Sequence, residues 1–304
     1  MKHCIRFVTA TALAAAIFTP AFAAGPVKVA ATLSTFADLA RTVGGDHVDV
    51  SAVASPKFNP HFIEPKPSDV LRVKRAGLFI HAGLDLEVWR GPLVDAAGNP
   101  AVRPGGAGEL DVSLGIPLLE VPAHNVTRAE GDIHLFGNPH YWLNPENARR
   151  MAETIAEKLA TIDPEHAADY RKNFADFSAR LDAKMAEWRE KMKPYAGTEL
   201  VGYHNEWPYL MEFLGLKIEY FLEPKPGIPP TPKQTQFLEK YIPEKHIKAI
   251  VQASYFPTRA AQALADRTGA KLVMLCQSVG ENSEAGDYIG TIDYDVNALV
   301  QALQ

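Results

Sequence analysis

A chain of 304 residues is long for one ordinary domain and suits one large or two medium ones. With 47% hydrophobic and 22% charged residues it has the composition of a folded globular protein, which excludes intrinsic disorder. A formal net charge of −5 argues against nucleic-acid binding, which would want a basic stripe.

Residues 1–23 are organised as a signal peptide. Lys2 and Arg6 make a positive start, Phe7–Phe18 is largely apolar, and Ala21-Phe22-Ala23 is a small-x-small cleavage site. The apolar run is too short to span a bilayer, and no later stretch is long and apolar enough to do so. The expectation is an exported, periplasmic protein. Cys4 stands at the start of this segment rather than at its cleavage point, so no lipid anchor is expected. The only other cysteine, Cys276, gives no disulfide framework. It is read as a buried residue ending a strand, with a thiolate ligand as the other reading.

In chain order, Val27–Leu33 is expected as a strand. Phe36, Leu39, Ala40 and Val43 then fall at helical spacing until Gly44-Gly45. Val48–Val53 is a second strand, Ser68–Arg75 a short helix, Leu78–His81 a third strand and Leu86–Val94 a helix. After the Pro/Gly-rich loop 99–108, Ile116–Val121 is expected as a fourth strand. Pro122–Asn138 is a long polar loop, and a helix begins near Pro145. Asp163-Pro164 is expected to cap the longest element. Its apolar positions run from Ala167 to Met192 at intervals of three or four until Pro194. Strands are then expected at Glu199–Tyr203, Lys217–Phe221, Ala249–Gln252 and Lys271–Leu275. The helices between and after them are Trp207–Leu214, Thr235–Tyr241, Thr258–Thr268 and Asp293–Leu303. The fold class is therefore α/β. Two lobes, each with a roughly four-stranded parallel sheet flanked by helices, are joined by one long rigid helix. Residues 24–162 form the N-terminal lobe, 163–193 the connecting helix and 194–304 the C-terminal lobe.

Three of the ten histidines fall in loops at the carboxyl ends of predicted strands, where open parallel sheets bind ligands. His61 lies in Pro60–Asp69, a loop stiffened by Pro60, Pro65 and Pro67. His140 follows Asn138-Pro139, and His204 ends the first strand of the second half. Two readings are open on spacing alone: a shared metal site in a cleft, or separate structural and surface histidines.

Specific segments bear on this choice. Asn59-Pro60-His61, Glu64 to Asp69 and Asn138 to Pro145 are joined by Tyr203-His204 with Tyr209, Leu214-Gly215-Leu216 and Gly286-Asp287-Tyr288. On these the chain resembles, over essentially its whole mature length, the substrate-binding proteins of bacterial zinc and manganese ABC importers (the cluster 9, TroA/ZnuA-like family). The resemblance implies two α/β lobes joined by a long helix and a metal held by His61, His140 and His204. The family often has an aspartate as fourth ligand, and alignment back from Gly286-Asp287-Tyr288 puts Gln277 there. Gln277, a water or Glu281 are the candidates, in that order. Three imidazoles and one weak oxygen favour Zn²⁺ over the alternative, Mn²⁺. The implied partners are an inner-membrane ABC permease and a periplasmic metallochaperone, with the protein itself a monomer and not an enzyme.

Other residues rank lower. His124 and His134, with Glu130 and Asp132, make a poor version of the His-rich loop seen in the family's zinc members, and His134 is read as solvated or as an accessory ligand. His81 is expected near the core, and His47, His166 and His246 at the surface. Glu206 is expected to support the site or be exposed, and Tyr141 and Trp142 to exclude water from it. A His₃ zinc hydrolase with Glu206 or Glu281 as base, and a sugar- or amino-acid-binding protein, are the competing functions.

Overall fold

A computed structural model describes residues 25–123, 134–225 and 227–304. The expected signal peptide with Cys4, and His124, Glu130 and Asp132 of the polar loop, lie outside the described residues. Strands β1 (Val27–Ala31), β2 (Val48–Ala52), β3 (Leu78–His81) and β4 (Glu109–Asp111) form one sheet in the order β2-β1-β3-β4. Strands β5 (Glu199–Gly202), β6 (Lys217–Phe221), β7 (Ala249–Ala253) and β8 (Lys271–Leu275) form a second, in the order β6-β5-β7-β8. Every pairing is parallel, and the two sheets share one strand order. β3 and β7 are buried at every residue, as strands covered on both faces must be.

The helices are α1 (Ser34–Gly44), α2 (Pro67–Arg75), α3 (Arg90–Ala97), α4 (Pro145–Ile162), α5 (Ala167–Met192), α6 (Pro208–Leu214), α7 (Pro232–Glu244), α8 (Thr258–Thr268) and α9 (Tyr288–Leu303). The 26 residues of α5 span about 39 Å at 1.5 Å each. Its buried face is Tyr170, Phe177, Leu181, Met185, Trp188 and Met192, the stripe expected from the spacing. Asn173 Nδ2 donates to the Val43 carbonyl beside the first sheet, and Trp188 Nε1 to Asp293 Oδ1 of α9 beside the second. One apolar cluster includes Leu78 and Ile80 of β3, this face of α5, and Leu200 and Val251 of the second sheet. The helix is thus built into a core common to both sheets.

Several expected boundaries move. Ile116–Val121 is not a strand; the fourth strand is the short Glu109–Asp111. Pro117 and Pro122 deny that run ladder donors. Its Leu119 backbone instead donates to Tyr209 Oη and accepts from Asn138 N. The helix expected at Leu86–Val94 begins only at Arg90, because Gly83, Leu84 and Asp85 all have positive φ and turn the chain first. Asp163 does not cap α5. A single 3₁₀ turn, Pro164–His166, intervenes, and Asp163 Oδ2 accepts instead from the Tyr170 hydroxyl. α9 starts at Tyr288, five residues early, because Asp287 caps it by accepting from Gly290 N. The helix expected at Thr235–Tyr241 starts at Pro232 for the same kind of reason, with Thr231 Oγ1 accepting from Gln234 N.

Candidate metal centre

The two Asn-Pro-His tripeptides fold alike. Asn59 Oδ1 accepts from His61 N at 3.0 Å, and Asn138 Oδ1 from His140 N at 3.0 Å. Each is an asparagine turn that the following proline stiffens. The first is braced from outside, where Trp89 Nε1 donates to the Pro60 carbonyl. His61 sits after β2, His140 near the end of the long β4–α4 connection, and His204 just past β5. All three are buried, and one ligand nitrogen from each lies within 4.8 Å of the others.

Their outer nitrogens are held. His140 Nδ1 lies 2.9 Å from Asn138 Oδ1, and His204 Nδ1 lies 2.7 Å from Glu223 Oε2. Both partners accept hydrogen bonds, so each ring carries its proton on Nδ1 and keeps a lone pair on Nε2. Supports of this kind commonly fix the tautomer of metal-binding imidazoles. Burial first, and then the neighbouring imidazoles, holds His61 and His140 well below the usual histidine range. These rings are neutral at pH 7, the form that can bind a metal.

Around the three lie residues of mixed expectation. The Gln277 side chain is buried, its Nε2 donating to Glu206 Oε2 at 3.2 Å while Oε1 has no partner. Its carbonyl accepts from Trp142 Nε1, and the Trp142 ring lies 5.4 Å from His140. Glu206 is fully buried, not exposed, and burial pushes its carboxyl up to about 7. Glu281 is engaged elsewhere. Its Oε1 accepts from Ser254 N at 3.0 Å, and its Oε2 from Gln277 N at 2.8 Å, so it braces the loop after β8. Cys276 is buried, and Asn282 Nδ2 donates to its sulfur at 3.3 Å. Burial raises its thiol well above the usual range, as suits a packed residue.

His134 is neither solvated nor remote. Its ring lies 5.0 Å from that of His61, Asp85 Oδ1 holds its Nδ1 at 3.1 Å, and its Nε2 is buried without a partner. His81 is a core residue with Nε2 3.0 Å from Glu109 Oε1. His246 is exposed, whereas His47 and His166 are half-buried and stack at 3.8 Å. Tyr141 and Trp142 are fully buried, Tyr141 Oη donating to the Ala82 carbonyl. Sequence reasoning missed the supports: Glu223, Asp85, and the role of Asn138. The doubled Asn-Pro-His tripeptide was the signal for Asn138; Glu223 comes from a loop 19 residues beyond its histidine and gave none.

Comparison with known proteins adds an independent line. Residues 29–302 match the sequence profile of the family described as "ZnuA: Zinc-uptake complex component A periplasmic". The manganese ABC transporter substrate-binding lipoprotein PsaA of Streptococcus anginosus is 26% identical over 91% of this chain and 89% of its own. The iron-binding protein YfeA of Yersinia pestis is 27% identical over 93% and 88%. A crystal structure of ZnuA superposes with a TM-score of 0.77 at 23% identity, covering 92% of this chain and all of the other.

Proposed function

This chain belongs to the periplasmic zinc-uptake component A family, and from that premise we propose that it captures Zn²⁺ between its two sheets and passes it to a permease. The coarser role stands on the family: a metal-binding, substrate-binding component of an ABC transporter, whose partner is a membrane permease. The family is one of transport proteins, which gives no ground for a hydrolase.

The observation that carries the proposal is the buried trio His61, His140 and His204, with ligand nitrogens within 4.8 Å of one another. In this reading their Nε2 lone pairs replace the waters of the ion. Gln277 Oε1, buried and unpartnered, supplies the fourth position; among the described residues His134 Nε2 and Glu206 Oε1 are also buried and unpartnered near the trio. Nitrogen donors with one neutral oxygen suit Zn²⁺, whereas Mn²⁺ prefers more oxygen. Relatives are named for manganese and for iron, so beyond the family's description the preference rests on this donor set. The ion lies between an N-terminal lobe of residues 24–162 and a C-terminal lobe of 194–304. The protein acts in the periplasm as a monomer, after removal of residues 1–23, and a metallochaperone can load it. Release requires the permease to favour a distorted cleft, since a tight site alone would trap its cargo.

Metal content and competition titrations of the mature protein test this. One Zn²⁺ per chain is expected, with binding lost in His61→Ala and in His140→Ala. Wild-type affinity in both variants would end the site assignment, and preference for Mn²⁺ in a buffered competition would end the metal assignment.

A further inference from the structure

Glu120 stands outside the trio but touches the support of one of its members and the chain neighbour of another. Its Oε2 accepts from Asn138 Nδ2 at 2.9 Å and from Asn205 Nδ2 at 2.7 Å. Asn138 is the residue whose Oδ1 holds His140, and Asn205 directly follows His204. Asn138 Nδ2 also donates to the Asn205 carbonyl at 3.0 Å. A single carboxylate oxygen therefore ties the His140 loop, which precedes α4, to the His204 loop, which follows β5.

The backbone shows that this contact is held against a cost. Glu120 has φ = +54°, in the left-handed region that favours glycine. A glycine would relieve that conformation at once, but would lose both amide contacts. Strain kept at one residue and repaid by a specific contact is characteristic of functional positions. Glu120 is exposed, so core packing does not account for its side chain.

We infer that Glu120 is a positioning residue: a latch that holds the His140 and His204 loops together and sets the lifetime of the bound ion. The inference rests on the proposed metal role of those two histidines. With the latch closed, neither imidazole can withdraw independently of the other. With it open, only the direct Asn138–Asn205 bond and the Tyr209 hydroxyl on the Asn138 carbonyl still join the loops, so dissociation quickens, while entry to the cleft is little changed.

Stopped-flow release of Zn²⁺ to a chelator, with parallel melting curves, tests this in wild type, Glu120→Gly and Glu120→Gln. Glu120→Gly is expected to release zinc about tenfold faster or more. Its melting temperature should be equal or higher, because glycine relieves the backbone. Glu120→Gln keeps an oxygen that can accept from both asparagines and should stay close to the wild-type rate. A wild-type rate in Glu120→Gly overturns the latch, as does a Glu120→Gln rate as fast as that of Glu120→Gly. Failure of wild type to bind zinc at all would instead overturn the metal reading on which the latch depends.

Discussion

His61 Nε2 lies 3.1 Å from His140 Nε2, with both rings buried. His140 gives its Nδ1 proton to Asn138 and presents a lone pair at Nε2, so in the metal-free protein a hydrogen bond between the two rings requires the His61 proton on Nε2. A tetrahedral Zn²⁺ with Zn–N near 2.05 Å would hold the two nitrogens about 3.4 Å apart and needs both lone pairs. Zinc must therefore move the His61 proton from Nε2 to Nδ1. Long-range ¹⁵N–¹H spectra should show that tautomer switch for His61 on zinc addition, with His140 and His204 keeping Nδ1–H throughout. A His61 ring that is Nδ1–H before zinc arrives would contradict the assignment.

The supports should matter nearly as much as the rings. Asn138→Ala frees His140 to rotate, and Glu223→Gln weakens the acceptor behind His204. Each should lower zinc affinity by about 10- to 100-fold while leaving one site per chain. Chelator competition measures this, and affinities unchanged from wild type would show the outer contacts to be incidental.

Gln277→Asp should shift metal preference. Gln277 is fixed through its backbone, where N donates to Glu281 and O accepts from Trp142. The exchange thus changes the side chain without releasing the loop. A carboxylate in place of an amide favours the harder ion, so the Mn²⁺/Zn²⁺ affinity ratio should rise by about tenfold. A ratio that does not move in paired titrations would remove Gln277 from the ion's surroundings.

Stability should depend on Glu87 in a defined pH window. Its carboxylate is buried, accepts from Ala82 N at 3.0 Å with each oxygen, and is pushed up to about 7 from 4.5, chiefly by burial. The folded state therefore holds this proton more tightly than the unfolded chain. Stability falls as pH rises from 4.5 to 7 and is flat above, a loss on the order of 3 kcal/mol. Glu87→Gln has no such loss, and its amide can keep the hydrogen bond that Thr32 makes to the Glu87 carboxyl. It should melt a few degrees above wild type at pH 8. That gain should shrink towards zero near pH 4.5; an equal gain at both pH values would point to packing instead.

Much of the fold could be read from the residues because the punctuation was strong. β3, β6, β8 and α8 have the expected limits, the last closed by Gly269 in a left-handed conformation. β4 escaped because three residues after a Pro/Gly loop carry no periodicity, while Ile116–Val121 imitated a strand through composition alone. The approach of the three histidines was legible through the resemblance carried by their flanking motifs, since loop position alone left two readings open and the strand expected before His140 does not form. His134 was not, because its position depends on Asp85, which a left-handed turn 49 residues earlier brings within reach. Glu120 was hidden for a similar reason: its partners come from two separate loops.

The apolar cluster that draws members from Val29 to Leu303, with α5 inside it, gives the two halves one wall in common. Cutting the chain beside α5 would strip both sheets of a shared wall. Each half released in this way would present to water the apolar side chains it now hides against α5.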